Sequence, residues 1–175
     1  VPAEHAYNSG YTSRMNDVPI PRWRDLDVTY PALAPCAADY FYVLPEGRRP
    51  WITALDREGA GLIQCSSERL RGRKQFLWGT NRGGNKWQDF LSVPGSRYIE
   101  IQAGLARTQI ECVPMPAGAD WSWIEAYGLM QADAKIVHGS DWKRATNCVE
   151  QVLDGRLPQP EMDAWYKRML EMTDK

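Results

Sequence analysis

The stretch that decides the fold is residues 72–127, GRKQFLWGTNRGGNKWQDFLSVPGSRYIEIQAGLARTQIECVPMPAGADWSWIEAY. It holds four of the chain's eight tryptophans. At its centre, residues 98–102 (YIEIQ) alternate between side chains that suit water and side chains that suit a core, which indicates a half-buried strand. Residues 107–113 alternate in the same way, and the glycine-containing segment between the two runs suits a short loop. The pattern therefore predicts a β-hairpin.

This hairpin would have one polar and one apolar face, because directly opposed residues of an antiparallel pair lie on the same face. The predicted core face consists of Ile99, Ile101, Thr108 and Ile110. The polar face carries two carboxylates, two amides, an arginine and a tyrosine, which are Tyr98, Glu100, Gln102, Arg107, Gln109 and Glu111. Amides and carboxylates beside aromatic rings can bind neutral hydroxyl groups. We interpret this face as a ligand-binding surface, and a solvated sheet surface is the alternative.

A second aromatic run follows the proline-rich break at residues 114–118. Trp121, Trp123, Glu125 and Tyr127 occupy alternate positions and would share one face of a strand. Aromatic rings beside a carboxylate can stack on the apolar face of a sugar while the carboxylate accepts hydrogen bonds from its hydroxyl groups. The alternative is that one or both tryptophans belong to the core.

Earlier strands are predicted by apolar runs that end at turn residues. They cover residues 39–44, 50–55, 61–66 and 75–78. Their short, regular spacing is typical of an antiparallel β-sandwich or barrel. The basic run 68–74 is interpreted as a solvated turn. The glycine-rich segment 79–87 has Asn85 at the position where a phosphate-binding loop requires lysine, so we interpret it as a flexible loop at the edge of a ligand site.

Three segments are predicted along the chain. Residues 1–38 are rich in proline and form an extended N-terminal arm, residues 39–130 form the β-sandwich domain, and residues 131–175 form a C-terminal α-helical hairpin or linker. Ser140 is the predicted cap of the first of these helices, with Gly155 at its end, and Pro160 is the first residue of the second helix.

Composition excludes several classes of function. The net charge of −1 gives no argument for binding nucleic acid or an anionic membrane, and no apolar run approaches the roughly 20 residues that span a bilayer. The four cysteines are far apart and form no CxxC pair, so we predict no zinc site. They are interpreted as buried free thiols in a reducing, cytoplasmic compartment, with two disulfides as the alternative. No cofactor is predicted. Because the chain starts at Val1, we expect the natural protein to extend further.

The runs GRKQFLWGTNRGGNKWQDFL and YIEIQAGLARTQIECVPMPAGADWSWIEAYG resemble a bacterial domain-of-unknown-function family that commonly precedes tetratricopeptide repeats in longer proteins. That family is similar to the galactose-mutarotase-like superfamily, whose antiparallel β-supersandwich binds carbohydrate. The resemblance covers roughly residues 39–127. It implies a galactose-mutarotase-like, partial sandwich, a carbohydrate ligand and helical repeats of the same protein as a partner. It does not imply epimerase catalysis, because no histidine lies between His5 and His138.

Three hypotheses of function follow. The first is a carbohydrate-binding module whose ligand contacts come from Tyr98, Gln102, Arg107, Gln109, Trp78, Trp87, Trp121, Trp123 and Glu125. The second is a sugar-active enzyme, a glycoside hydrolase or epimerase-like protein, with Glu100 and Glu111 as catalytic acid and base. As diagonal neighbours, their Cβ atoms would lie about 7–8 Å apart, and glycoside hydrolysis needs a carboxyl separation of roughly 5–10 Å. The third is a non-catalytic scaffold or interaction domain.

Overall fold

The computed structural model describes residues 1–9 and 14–173. All its strand pairs are antiparallel, and they form a five-stranded, a three-stranded and a two-stranded sheet. The strands are β1 His5–Asn8, β2 Asn16–Pro19, β3 Arg22–Trp23, β4 Leu26–Asp27, β5 Ala38–Tyr42, β6 Trp51–Leu55, β7 Ala60–Ser66, β8 Gly72–Leu77, β9 Glu100–Gly104 and β10 Glu125–Gln131. The helices are α1 Arg82–Leu91, α2 Ala134–Val137, α3 Trp142–Arg156 and α4 Gln159–Thr173, with a short 3-10 helix at Pro31–Leu33. The prediction of a mainly antiparallel β protein with a helical C-terminus is confirmed.

The chain divides into two compact units, and each is built from separate stretches of sequence. Unit 1 comprises Val1–Pro2, Glu46–Arg71 and Val113–Lys175, and unit 2 comprises Ala3–Pro45 and Gly72–Cys112. This division differs from the predicted order of arm, sandwich and helical segment, because strands that are distant in sequence pair within each unit.

Unit 2 contains the five-stranded sheet, in the order β2-β1-β5-β8-β9. The N-terminal residues are part of this sheet rather than an arm beside it, since Ala6 lies between Val18 of β2 and Tyr42 of β5. Ala6 and Val18 are fully buried. The prolines of this segment are compatible with a strand position, because Pro19 ends the edge strand β2, where a missing N–H is tolerated.

The partner of β9 is β8 rather than residues 107–113, so the predicted hairpin is wrong. Gln102 lies opposite Lys74, and Glu100 lies opposite Phe76. Residues 105–112 form a loop that holds itself by local hydrogen bonds: the Thr108 hydroxyl accepts from the amides of Ile110 and Glu111, both at 3.2 Å. Such side-chain to backbone bonds offer an alternative to strand pairing, and they turn the alternating run out of the sheet.

Helix α1 occupies most of the segment that was predicted to be a flexible loop. The Asn81 side chain caps it by accepting from the Gly84 amide at 2.7 Å. Two glycines in its first turn obscured the helical signal, because glycine is a poor helix former. Gly84 is nevertheless required, since a Cβ there would lie 2.3 Å from the carbonyl oxygen of Trp78 and 2.4 Å from that of Gly79.

Unit 1 contains the three-stranded sheet, in the order β10-β7-β6. One face of this sheet packs against α3 and α4. The core comprises Trp51, Ile63, Cys65 and Met130 from the sheet and Val149, Leu153 and Met162 from the helices, together with Ala132. The Glu150 carboxylate of α3 accepts hydrogen bonds from Arg48 at 2.8 Å and from the Trp51 indole at 3.1 Å, which fixes this helix to the start of β6.

The C-terminal helices begin and end close to their predicted bounds. The cap of α3 is Asp141, which accepts from the Arg144 amide at 3.0 Å, rather than Ser140. The helix also passes through Gly155 and ends at Arg156. Across residues 1–9 and 14–173, none of the helices has the length and apolar character needed to cross a membrane. The cysteines are free thiols, but only Cys65 is buried, while Cys36 and Cys112 are exposed.

The close approach at Gly84 makes a matched pair of substitutions informative. We expect Gly84→Ala to lower the free energy of unfolding by about 2–3 kcal/mol, because the new methyl group overlaps two backbone carbonyls. A Cβ at Gly83 would meet only the Asn81 side chain, at 3.6 Å. Gly83→Ala should therefore raise the free energy of unfolding by about 0.5 kcal/mol, because alanine has the better helix propensity. Urea unfolding measures both. Equal effects of the two substitutions would contradict the position of α1.

A second prediction concerns the buried face of the five-stranded sheet. The Tyr42 hydroxyl donates to Oε1 of Gln75, and both side chains are buried. Tyr42→Phe should lower the free energy of unfolding by about 1–3 kcal/mol, because it leaves the Gln75 oxygen without its donor. The control is Tyr7→Phe, since the Tyr7 hydroxyl has no hydrogen-bond partner in the described part of the chain. A cost for Tyr7→Phe equal to that for Tyr42→Phe would show that ring packing, not the hydrogen bond, is being measured.

Candidate functional site

The predicted site residues are separated into four groups. Unit 1 holds Trp121, Trp123 and Glu125, and unit 2 holds the other three groups. These are Tyr98, Glu100 and Gln102 on or beside β9; Arg107, Gln109 and Glu111 in the following loop; and Trp78 and Trp87 beside and within α1. The structure therefore does not support one continuous polar hairpin face.

The Glu125 carboxylate is the centre of a group that we call the Glu125 cluster, formed by Gln64, Trp123, Glu125 and Tyr127. Its Oε2 accepts from the Gln64 side-chain amide at 2.9 Å and from the Tyr127 hydroxyl at 2.8 Å. Its Oε1 accepts from the Trp123 indole at 3.2 Å. Because Tyr127 lies directly opposite Gln64 in the pairing of β10 with β7, the pleat places these side chains on one face.

The Glu125 cluster presents two aromatic rings to solvent above a buried support. The Trp123 side chain is 40% exposed and Tyr127 is 66% exposed, whereas Gln64 is only 3% exposed. The Gln64 Oε1 has no hydrogen-bond partner among the described residues, so the bond to Glu125 sets the orientation of this amide. The sequence predicted that Trp121, Trp123, Glu125 and Tyr127 share one face of a strand; the hydrogen bonds bring Trp123, Glu125 and Tyr127 together, but the strand begins only at Glu125. It missed Gln64, which comes from another strand.

The carboxylate of Glu125 can accept one more hydrogen bond. Its two oxygens offer about four acceptor positions, and the three protein donors use three of them. Oε1 has a single protein donor, Trp123. Since Glu125 is only partly buried, a ligand hydroxyl beside the rings can reach this oxygen. The arrangement therefore combines apolar ring surface with an acceptor of fixed position.

Apolar side chains extend the same face along β10. Leu129 lies directly opposite Leu62, and their exposed fractions are 80% and 42%. Leu129 follows Tyr127 by two residues, so it points in the same direction. The surface around the Glu125 cluster is consequently more apolar than an ordinary solvated strand.

Trp121 is placed differently from its predicted neighbours. Residues 121–124 precede β10 and are not part of a strand. The Trp121 ring lies under the Arg69 guanidinium, with 5.6 Å between the guanidinium carbon and the ring centroid. This cation–π contact occupies one face of the Trp121 ring.

In unit 2, a second carboxylate forms a smaller polar group on β9. The Glu100 oxygens accept from the Tyr98 hydroxyl at 3.2 Å and from the side-chain amide of Gln102. Gln88 of α1 fixes the backbone of Tyr98, since its Oε1 accepts from the Tyr98 amide at 2.6 Å. Burial, with a further contribution from the Glu100 charge, raises the pKa of Tyr98. At neutral pH its hydroxyl therefore stays a neutral donor to Glu100.

The structure does not place the predicted catalytic residues, Glu100 and Glu111, on paired strands. Glu111 lies in the loop after β9, where its carboxylate accepts from Arg107 at 2.8 Å and from the Thr108 amide at 3.2 Å. Glu100 and Glu111 are therefore not diagonal neighbours on paired strands, and the separation that was inferred from such pairing does not apply. The Arg107 guanidinium is likewise engaged with Glu111 rather than with Gln102.

Lys74 joins this loop to the sheet. Its ammonium donates to Gln109 Oε1 at 2.8 Å and to the Thr108 carbonyl at 3.2 Å. Lys74 is 6% exposed, Arg73 is fully buried, and both belong to β8, so the interpretation of the run 68–74 as a solvated turn is wrong at its C-terminal end. Burial lowers the pKa of Lys74, and the charge of Glu111 partly opposes this effect. Gln109 is consequently a structural partner of the lysine.

The remaining candidates, Trp78 and Trp87, stack on each other. Their ring centroids are 4.8 Å apart with an interplanar angle of 16°. Phe90 meets Trp87 edge-on at 6.0 Å. Each indole therefore offers at most one face to a ligand.

No group of three histidine, cysteine, aspartate or glutamate side chains that could hold a metal ion occurs within residues 1–9 and 14–173. Comparisons of the chain with protein-family models, with curated proteins and with solved structures found no match.

The buried ammonium of Lys74 predicts a specific pH dependence of stability. Its pKa in the folded state lies below the ordinary value of 10.5. Between these two values the unfolded chain binds more protons than the folded chain, so the free energy of unfolding should rise with pH there. Below the folded-state pKa, the full cost of burying the charge is present. The measurement is urea unfolding between pH 8 and about pH 10.5.

Lys74→Met removes the titrating group, so the free energy of unfolding should no longer rise with pH between pH 8 and about pH 10.5. The substitution also removes the hydrogen bonds that anchor the loop and therefore lowers stability at every pH. Lys86→Met, at an exposed position of α1, is the matched control and should leave the pH dependence unchanged. If wild type and Lys74→Met show the same slope, the ammonium is not desolvated in the folded protein.

Proposed function

We propose that this protein binds carbohydrate, and that the Glu125 cluster is the binding site. The observation that carries the proposal is a carboxylate held by three protein donors between two exposed aromatic rings. Aromatic rings cover the apolar C–H face of a sugar, and a carboxylate with remaining acceptor capacity takes its hydroxyl groups. The indole of Trp123 and the phenol of Tyr127 are both hydrogen-bonded to Glu125, so their positions are set before a ligand arrives.

The Glu125 cluster supports this function better than the Glu100 group does. Tyr98 and Gln102 beside Glu100 are only partly exposed, and the loop next to them is held by Lys74. Trp123 and Tyr127, by contrast, present large ring surfaces to solvent. The remaining sequence candidates in unit 2 are engaged with each other and serve the fold in this proposal.

The proposed function is binding rather than turnover. Most glycoside hydrolases need two carboxyl groups on either side of the scissile bond, and the Glu125 cluster contains one. The resemblance to a galactose-mutarotase-like domain that precedes tetratricopeptide repeats agrees with a binding role. On that resemblance we also propose that the chain belongs to a larger bacterial protein with a β-supersandwich.

A protein-docking role is the second candidate, and one observation favours it. Leu62 and Leu129 extend the exposed surface beyond the aromatic rings, and sugars offer no apolar surface large enough to cover both. Helical repeats of the same protein, which the resemblance implies, are the proposed partner in this case.

The test is saturation-transfer NMR of the chain with a pool of common mono- and disaccharides. We expect transfer to at least one sugar, a loss of about tenfold or more in its affinity with Trp123→Ala, and a smaller loss with Glu125→Gln, which keeps an oxygen acceptor but removes the charge. Glu100→Gln is the matched control in unit 2 and should bind as wild type does.

Three results would argue against the proposal. They are no transfer to any sugar from a folded sample, unchanged affinity in Trp123→Ala, and an equal loss in Glu100→Gln. If Leu129→Ser weakened association with the repeats while sugars gave no signal, the docking role would replace the carbohydrate role.

A further inference from the structure

Unit 2 contains a cavity of about 390 Å³ that the sequence did not predict. Its floor is the buried face of the five-stranded sheet, where Asn8, Ala38 and Tyr40 line it. Its walls come from the segment between β3 and β5, and include Trp23, Asp27, Val28, Leu33 and Pro35. This volume lies within the roughly 300–1,000 Å³ that is typical of small-molecule sites.

The hydroxyl of Tyr40 is a polar group of this cavity that forms no hydrogen bond with the described residues. Tyr40 is 5% exposed, yet its hydroxyl has no hydrogen-bond partner among the described residues. By contrast, Tyr42 on the same face donates to Gln75. The hydroxyl is not one of the fully buried side-chain atoms that lack a partner, so it keeps accessible surface from which it can donate to a ligand. Burial, with a contribution from Cys36, raises the pKa of Tyr40, so the group is a neutral donor at physiological pH.

The backbone beside the cavity is strained. Arg24 and Asp25 join β3 to β4 with φ angles of 50° and 64°, the left-handed conformation that a two-residue hairpin turn requires and that asparagine and glycine adopt more easily. The turn brings the Arg24 guanidinium over the Trp23 ring, with 4.4 Å between its carbon and the ring centroid. Both side chains line the cavity. Strain of this kind is concentrated at ligand sites.

The charges of the lining indicate what the ligand is not. One cationic and one anionic side chain, Arg24 and Asp27, line the cavity. Asp27 already accepts hydrogen bonds from the Thr29 amide at 3.1 Å and the Thr29 hydroxyl at 2.6 Å. A ligand with a net charge of either sign would meet one like charge and would lose hydration against apolar walls. A neutral molecule avoids both costs.

We propose that this cavity binds a small neutral molecule with an apolar ring body and one oxygen atom that accepts a hydrogen bond from Tyr40. The apolar body covers Val28, Ala38 and Leu33, and the oxygen gives the Tyr40 hydroxyl the partner that the protein does not supply. Carbonyl and ether oxygens fit this description because they accept without donating. This site is independent of the Glu125 cluster.

The experiment uses the matched probes 1-indanone and indane, which share a bicyclic body and differ by one carbonyl oxygen. Their dissociation constants are measured by NMR titration with wild type and with Tyr40→Phe. We expect wild type to bind 1-indanone about tenfold more tightly than indane, and Tyr40→Phe to remove that difference, because the carbonyl then lacks a donor. Tyr40→Phe should fold normally, since its hydroxyl has no protein partner to lose.

Two control variants complete the design. Tyr7→Phe carries the same chemical change on the opposite face of the sheet and should bind both probes as wild type does. Ala38→Leu fills the floor of the cavity and should abolish binding of both probes. The proposal is overturned if 1-indanone and indane bind wild type equally, if Tyr40→Phe keeps the preference, or if neither probe binds. Glu125→Gln should change none of these values, which separates this site from the carbohydrate proposal.

Discussion

The burial of one face of the three-stranded sheet under α3 and α4 is the constraint on which unit 1 depends. Trp51 and Cys65 lie opposite each other on this face and pack with helix residues such as Val149 and Met162. The Glu150 carboxylate reinforces the contact by bonding both Arg48 and the indole of Trp51. A carboxylate that is partly removed from water needs such donors, so the position of the helix on the sheet is specified by charge as well as by apolar area.

The same constraint creates the Glu125 cluster. Successive side chains of a strand point to opposite faces. Because Cys65 of β7 and Met130 of β10 point into the core, Gln64 and Tyr127 of the same two strands point to the other face. A shift of the β10 pairing by one residue would bury Tyr127 and expose Met130, which the apolar core resists. The positions of Gln64, Glu125 and Tyr127 in the proposed ligand surface are thus set by the packed core beneath the sheet, while Trp123 is held in the preceding segment by its bond to Glu125.

The sequence pattern predicted those strands whose position depends on local residues. It failed for segments whose structure depends on contacts with residues distant in the sequence. Apolar alternation and flanking turn residues located β5, β6 and β7 within one or two residues. The run after Gly104 alternates equally well. It forms a loop, however, in which the Thr108 carbonyl and the Gln109 side-chain oxygen accept hydrogen bonds from Lys74 of an earlier strand. In the same way, the glycines at 83 and 84 hid α1, because the reason for Gly84 lies in its contact with the carbonyls of Trp78 and Gly79.

The two proposed sites differ in how far a sequence can reveal them. Trp123, Glu125 and Tyr127 lie close along the chain, so their alternate spacing was enough to place them together although Trp123 precedes β10, and only Gln64 had to come from elsewhere. The cavity, in contrast, joins Tyr40 on a strand to Trp23 and Asp27 in irregular segments. No periodicity relates such residues. What marks the cavity is the absence of a partner for the Tyr40 hydroxyl within the described residues, a property that exists only once the surrounding chain is folded.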